Sequence, residues 1–102
     1  MSFINYDDII KSSPVVLVEF YADWCPHCQK MMPVMDEIRE LLDAPRVSLH
    51  QLNIDENEKI ADQAGVTGVP YFLLYRNGEC VWRDSGEIDG NVIMEQVSRA
   101  EK

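Results

Sequence analysis

Val15-Val16-Leu17-Val18-Glu19-Phe20-Tyr21-Ala22-Asp23-Trp24-Cys25-Pro26-His27-Cys28 is the stretch that decides how this chain folds. Its first seven residues are β-branched, aliphatic or aromatic, with Glu19 as the one charge. That run reads as a strand covered on both faces, as in a sheet packed between helices. From Gln29 to Leu42 the apolar residues recur at helical spacing instead. Two cysteines separated by two residues therefore stand at a strand-to-helix junction. A helix start offers unpaired N–H groups and the positive end of the macrodipole, so a thiolate is stabilised there. Cys25 is the candidate nucleophile, and Cys28, expected to be the more buried of the two, is its resolving thiol. Pro26 suits the first helical position, and a protonated His27 adds positive potential beside the pair. The plain alternative for His27 is an exposed helix-start residue without consequence.

Outward from this stretch, Asn5 with Asp7 and Asp8 marks a helix start, and Lys11-Ser12-Ser13-Pro14 its end. The helix after Cys28 is expected to bury Met31, Met35, Ile38 and Leu42, supported by Val34 and Leu41, with Pro33 kinking its axis. Val47 to Ile54 reads as a strand and Glu58 to Ala64 as a short helix ended by Gly65. Tyr71 to Tyr75 and Cys80 to Arg83 flank an Asn77-Gly78 turn and read as a hairpin. A last amphipathic helix runs from about Asn91 to Ala100, and Phe3 with Ile4 suggests an extra strand. The implied fold is α/β, a central mixed sheet of four to five strands with helices on both faces, in one domain spanning residues 1–102.

Eighteen acidic against nine basic side chains give a net charge of −9. Such a chain repels phosphate backbones and anionic lipid surfaces, so neither nucleic acid nor membrane is an expected partner. The first residues carry neither the basic segment nor the apolar run of an export signal, and a cytoplasmic location is expected. Three cysteines suit one reactive pair plus a spare better than a disulfide framework. The spare, Cys80, reads as an inert packing thiol, the alternative being a regulatory or oxidation-sensitive one. Zinc and iron-sulfur sites normally need four ligands, and His27, His50 and Cys80 supply no common ligand spacing. Redox exchange is the better reading of the pair, no metal is expected, and His50 receives no chemical role.

These residues resemble the thioredoxin superfamily over nearly the whole chain. Leu17 to Cys25 resembles the strand entering the family's active site, and Pro33 stands in the family's helix. Leu52-Asn53-Ile54-Asp55 resembles its central strand end, and Gly68-Val69-Pro70 its cis-proline loop. Asn77-Gly78-Glu79 and Gly86 also fall at family positions. The resemblance implies a thioredoxin fold and a protein-disulfide oxidoreductase with no cofactor beyond the redox-active Cys25–Cys28 pair. Pro70 would shape the site, and substrate backbone would pair beside Thr67-Gly68-Val69. Trp24, Pro26, Val69 and Gly86 would line a shallow groove, the alternative for Trp24 being core packing. Glu19 takes the position of a buried acid that exchanges a proton with Cys28, the alternative being a carboxylate that reaches solvent. Implied partners are protein disulfides or dithiols and a recycling reductase such as thioredoxin reductase, with the protein acting as a monomer.

Three departures from the family pattern stand out. Gln51 replaces the lysine that usually accompanies the buried acid. Only 24 residues precede Cys25, which implies a shortened first element. Pro26-His27 is the dipeptide of the strongly oxidising DsbA family, roughly 150 mV above thioredoxin, so a potential more oxidising than an ordinary thioredoxin is expected and the direction of electron flow stays open. A second functional reading is a binding module that uses Tyr71, Trp82 and the acidic surface to hold one partner, with redox cycling secondary.

Overall fold

The computed structural model describes residues 5–102, so the strand suggested at Phe3 and Ile4 lies outside the described residues. The elements are α1 (Tyr6–Ile10), β1 (Val15–Tyr21), α2 (Pro26–Leu41), β2 (Val47–Asn53), α3 (Glu58–Ala64), β3 (Tyr71–Arg76), β4 (Glu79–Ser85) and α4 (Gly90–Glu101). The strands form one sheet in the order β2-β1-β3-β4. β1 is parallel to β2 and antiparallel to β3, and β3 is antiparallel to β4, so the sheet is mixed. Among the described residues it has four strands, the lower of the two numbers expected.

Strand alternation divides the interior into two layers. Val15 and Leu17 of β1 pack with Met31, Met35 and Ile38 of α2 and with Ile93 and Val97 of α4. Val16, Val18 and Phe20 point the other way, against Tyr6 and Ile10 of α1 and Ala61 and Ala64 of α3. Helices thus cover both faces, which is why β1 carries almost no polar residue.

Local chemistry sets the boundaries. Asn5 caps α1 by accepting the Asp7 N–H at 2.9 Å, and Asp89 caps α4 by accepting the Asn91 N–H at 2.7 Å. Gly65 ends α3 in the left-handed region, with φ of 77°. The β3–β4 hairpin turns through Asn77 and Gly78, both with positive φ, a geometry that Asn-Gly adopts at little cost. α2 runs through Pro33 without a break.

Two expectations fail. Leu41, expected to support the buried stripe of α2, is 61% exposed, because the helix ends there and the chain turns away toward β2. Cys80 is exposed rather than packed. It lies on the edge strand β4, where a register shift beside Leu74 and Tyr75 interrupts the pairing and Trp82 is the side chain that reaches the core.

Glu19 belongs by parity to the Leu17 face, under α2, and it is only 3% exposed. Burial pushes its carboxyl above the ordinary range, and a hydrogen bond from Gln51 acts in the opposite direction. A carboxyl whose folded pKa is raised stabilises the fold fully below its unfolded pKa and loses that contribution as pH rises through the folded value. Glu19→Gln, which keeps an acceptor for Gln51 but carries no charge, is therefore expected to be more stable than wild type at about pH 8, with the gap closing as the pH falls to about 4. Urea midpoints across that range measure it. In the same assay Leu17→Ala should cost about 2–5 kcal/mol, as a truncation inside a closed core. Leu41→Ala should stay within about 0.5 kcal/mol.

Candidate active site

β1 delivers the chain to Tyr21, Ala22 closes a short turn by accepting the Cys25 N–H at 3.2 Å, and α2 begins at Pro26. Cys25 is the N-cap residue, and its Sγ accepts the Cys28 N–H at 3.2 Å. Sulfur therefore takes the place that a serine or aspartate oxygen usually holds at a helix start. Pro26 stands at the first helical position, where no N–H is needed. The Cys25 thiol also faces the Val69 carbonyl, at 3.6 Å.

Both cysteines are free and each is 3% exposed, so the expectation that Cys28 is the more buried is not met. Cys25 is covered because Ala22, Val69, Ile54 and Tyr21 close over the pair. What separates the two sulfurs is their surroundings. Cys28 is pushed up to about 12, first by burial, then by its hydrogen bond with Cys25, and in smaller part by the charge of Glu19.

The Val69–Pro70 peptide bond is cis, as is Ala44–Pro45, which nothing in the sequence reading singled out. Pro70 is buried, and its carbonyl accepts the Gly86 N–H at 2.8 Å, which ties the loop before β3 to the loop after β4. Thr67, Gly68 and Val69 line a cavity of about 450 Å³ together with Trp24, Ile54, Asp55, Glu58 and Asp62. Trp24 is 64% exposed, which rules out the core-packing alternative. Its indole N–H donates to Asp55 at 3.0 Å, and Asp55 is itself held through its N–H by the Asn53 side chain at 2.9 Å. Pro26 and Gly86 do not line this cavity; Gly86 is joined to the groove through Pro70.

A second cavity, of about 470 Å³, is lined by Cys28 together with Glu19, Tyr21, Asp23, Met32, Asp36 and Gln51 among others. Glu19 does not reach solvent as a free carboxylate, because Gln51, its register partner on β2, donates to it at 2.8 Å. Gln51 in turn accepts from Arg39 of α2 at 2.6 Å. His27 is exposed and its Nδ1 pairs with the Glu87 carboxylate across the mouth of the site.

Glu87, Arg39 and Asp55 were not singled out from sequence as site residues. The position of Glu87 beside Gly86 is a weak signal, whereas Arg39, about three helical turns beyond Cys28, gives none. His50 is half-buried, bonds to Ser12 at 3.0 Å and is held below its ordinary pKa by burial. Among the described residues no group of three or more His, Cys, Asp or Glu side chains is arranged to hold a metal ion, and no helix is long and apolar enough to cross a membrane.

A thioredoxin family model matches residues 2–99. Thioredoxin from Rickettsia typhi is 40% identical over 80 residues, which are 78% of this chain and 72% of that protein. The chloroplastic thioredoxin Y of rice (Oryza sativa subsp. japonica) is 30% identical over 100 residues, 97% of this chain, and the chain spans 59% of that protein's length. Among solved structures, a point-mutant thioredoxin from Halobacterium salinarum superposes with a TM-score of 0.84 at 32% identity, covering 95% of this chain and 83% of its own. With a mixed sheet of four strands among the described residues, its cysteine pair at the start of α2 and a family match across nearly its whole length, the chain belongs to the thioredoxin family and carries the dithiol pair of a thiol–disulfide oxidoreductase.

Proposed function

We propose that this chain, acting as one thioredoxin-like domain, exchanges disulfides with protein substrates through Cys25 as nucleophile and Cys28 as resolving thiol. The Cys25 thiolate attacks one sulfur of a substrate disulfide, a mixed disulfide forms, and the other substrate sulfur leaves as thiolate. Cys28 then gives its proton to the Glu19 carboxylate, attacks Cys25 Sγ, and expels the second substrate thiolate. Two electrons have passed to the substrate, and a Cys25–Cys28 disulfide remains. The reverse sequence donates a disulfide.

The observation that carries this reading is the Cys28 N–H bond to Cys25 Sγ at the start of α2, because a donor and a helix dipole both favour charge on that sulfur. A thiol as reluctant to ionise as Cys28 needs a base close by, and Glu19 lines the same cavity. Pro70 shapes the loop against Cys25, and an extended substrate segment pairs beside Thr67, Gly68 and Val69, with Trp24 and Gly86 flanking it. Pro26 and His27 tune the pair. A dithiol-delivering reductase such as thioredoxin reductase recycles it, in the cytoplasm, with the protein monomeric. The contact of the Cys28 N–H with Cys25 Sγ, and of that sulfur with the Val69 carbonyl, favours this reading over that of a binding module.

Cys28→Ser should accumulate mixed disulfides with several proteins, visible as bands that vanish on reduction, while Cys25→Ser should lose turnover by more than roughly 10³-fold. Retention of one noncovalent partner and no mixed disulfide would favour the module instead. The pair is expected to be more oxidising than an ordinary thioredoxin, and His27→Pro should lower its potential in a glutathione buffer by tens of millivolts, on the order of a third of the roughly 150 mV between the two family types. A potential at the thioredoxin value, unmoved by His27→Pro, contradicts the tuning role of His27.

A further inference from the structure

The buried Glu19 meets an amide whose polarity is dictated by a third residue. Gln51 Nε2 donates to Glu19 Oε1 at 2.8 Å, and Gln51 Oε1 accepts from the Arg39 guanidinium at 2.6 Å. A guanidinium has only donors, so the oxygen end of the amide must face Arg39. The NH2 end is then left for Glu19. The reversed amide would set donors against donors at Arg39 and acceptor against acceptor at Glu19, and neither contact would hold.

We propose that Arg39, exposed on α2 about three turns beyond Cys28, is a positioning residue for the proton step, holding the Gln51 amide so that Glu19 is kept as the carboxylate that receives the Cys28 proton. The inference rests on the reading of Glu19 as proton acceptor. An N–H donor stabilises the charged form of an acid, which offsets the burial that opposes it. The proton moves from Cys28 Sγ to a Glu19 oxygen as the Cys25–Cys28 bond forms and the bond from Cys25 to the substrate breaks. It then leaves by the cavity that Glu19, Cys28 and Gln51 share.

The charged and titratable groups around Glu19 are Tyr21 on its own strand, Asp23 in the following turn, Cys28 and Asp36 on α2, and Arg39 through Gln51. On β3 its register partner is Phe72, which does not titrate. Tyr21, Asp23, Cys28 and Asp36 are unchanged in an Arg39 or Gln51 variant, so they set the baseline and cancel from the difference. Arg39 reaches Glu19 through a neutral amide. Its effect therefore depends on Gln51 being present, which a simple field from a distant charge does not.

The test follows the Glu19 side-chain carboxyl carbon by NMR through a pH titration of the reduced protein, beside pH–rate profiles for insulin disulfide reduction. Arg39→Met and Gln51→Met should each move the Glu19 midpoint upward, the double variant no further than the larger single shift, and Arg39→Lys should keep the wild-type midpoint. The acid limb of the rate profile should move with the midpoint by the same amount. A midpoint unmoved in Arg39→Met, or shifts that simply add in the double variant, overturns the proposal and leaves the disulfide chemistry standing. An acid limb that stays in place while the midpoint moves overturns the proton role of Glu19, and the proposal with it. The NMR arm needs no turnover, so the two failures are told apart.

Discussion

The site depends on the unpaired N–H groups at the first turn of α2, because they fix where a sulfur is able to carry negative charge. A chain that leaves β1 at Tyr21 and enters a helix at Pro26 must satisfy those donors within one short turn. Pro26 removes one of them, and Cys25 Sγ takes another from Cys28. An oxygen cap would have been equally good for the helix and chemically inert toward disulfides. The same sulfur lies under Val69, so in the proposed exchange a substrate reaches it alongside the loop ending at Pro70. One residue thus links the helix electrostatics to that direction of approach.

Behind that sulfur lie two groups that burial discourages from ionising. Cys28 is pushed up by burial and, in smaller part, by the charge of Glu19, and Glu19 is raised by its own burial. Releasing a proton from Cys28 while Glu19 stays ionised puts two negative charges into one poorly solvated space. Moving the proton from sulfur to carboxylate leaves the net charge of that space unchanged, so it avoids most of the desolvation cost. The two titrations are consequently properties of the pair rather than of either residue. In the proposed exchange the cavity alongside serves the later step, when Glu19 returns the proton to solvent.

Most of the fold was legible because its signals are local. The apolar run of β1, the Asn5 cap, the Gly65 stop and the Asn77-Gly78 turn each act through neighbours in sequence. What failed depends on where elements end or lie in space. Leu41 continues the helical period of α2, but the helix ends beside it, so periodicity alone cannot reveal its exposure. Cys80 sits in a strand pattern that reads alike for edge and centre, and only the sheet order makes β4 an edge. At the site, the cysteine pair, Glu19 and Pro70 were legible through their spacing and family resemblance. Glu87 and Arg39 were not, since each acts across a tertiary contact with a residue far along the chain.

That distinction bears on redox poise, because the dipeptide between the cysteines was read from sequence as one unit. A protonated imidazole beside Cys25 favours the thiolate, hence the reduced pair, and so makes the disulfide a stronger oxidant. Glu87 pairs with that imidazole, and its negative charge offsets the potential that a protonated imidazole adds. Both side chains face water, 64% and 41% exposed, so mobile ions weaken their influence on the sulfur. The N–H donor from Cys28 lies inside the packed site and is not screened in this way. In the proposed tuning, the part of the poise that His27 contributes by charge is therefore dependent on salt and conditional on the loop after β4, whereas the part set by the helix start belongs to the fold. A motif of two residues transferred between thioredoxin-like proteins carries the first part only as far as its partner at the position of Glu87 allows.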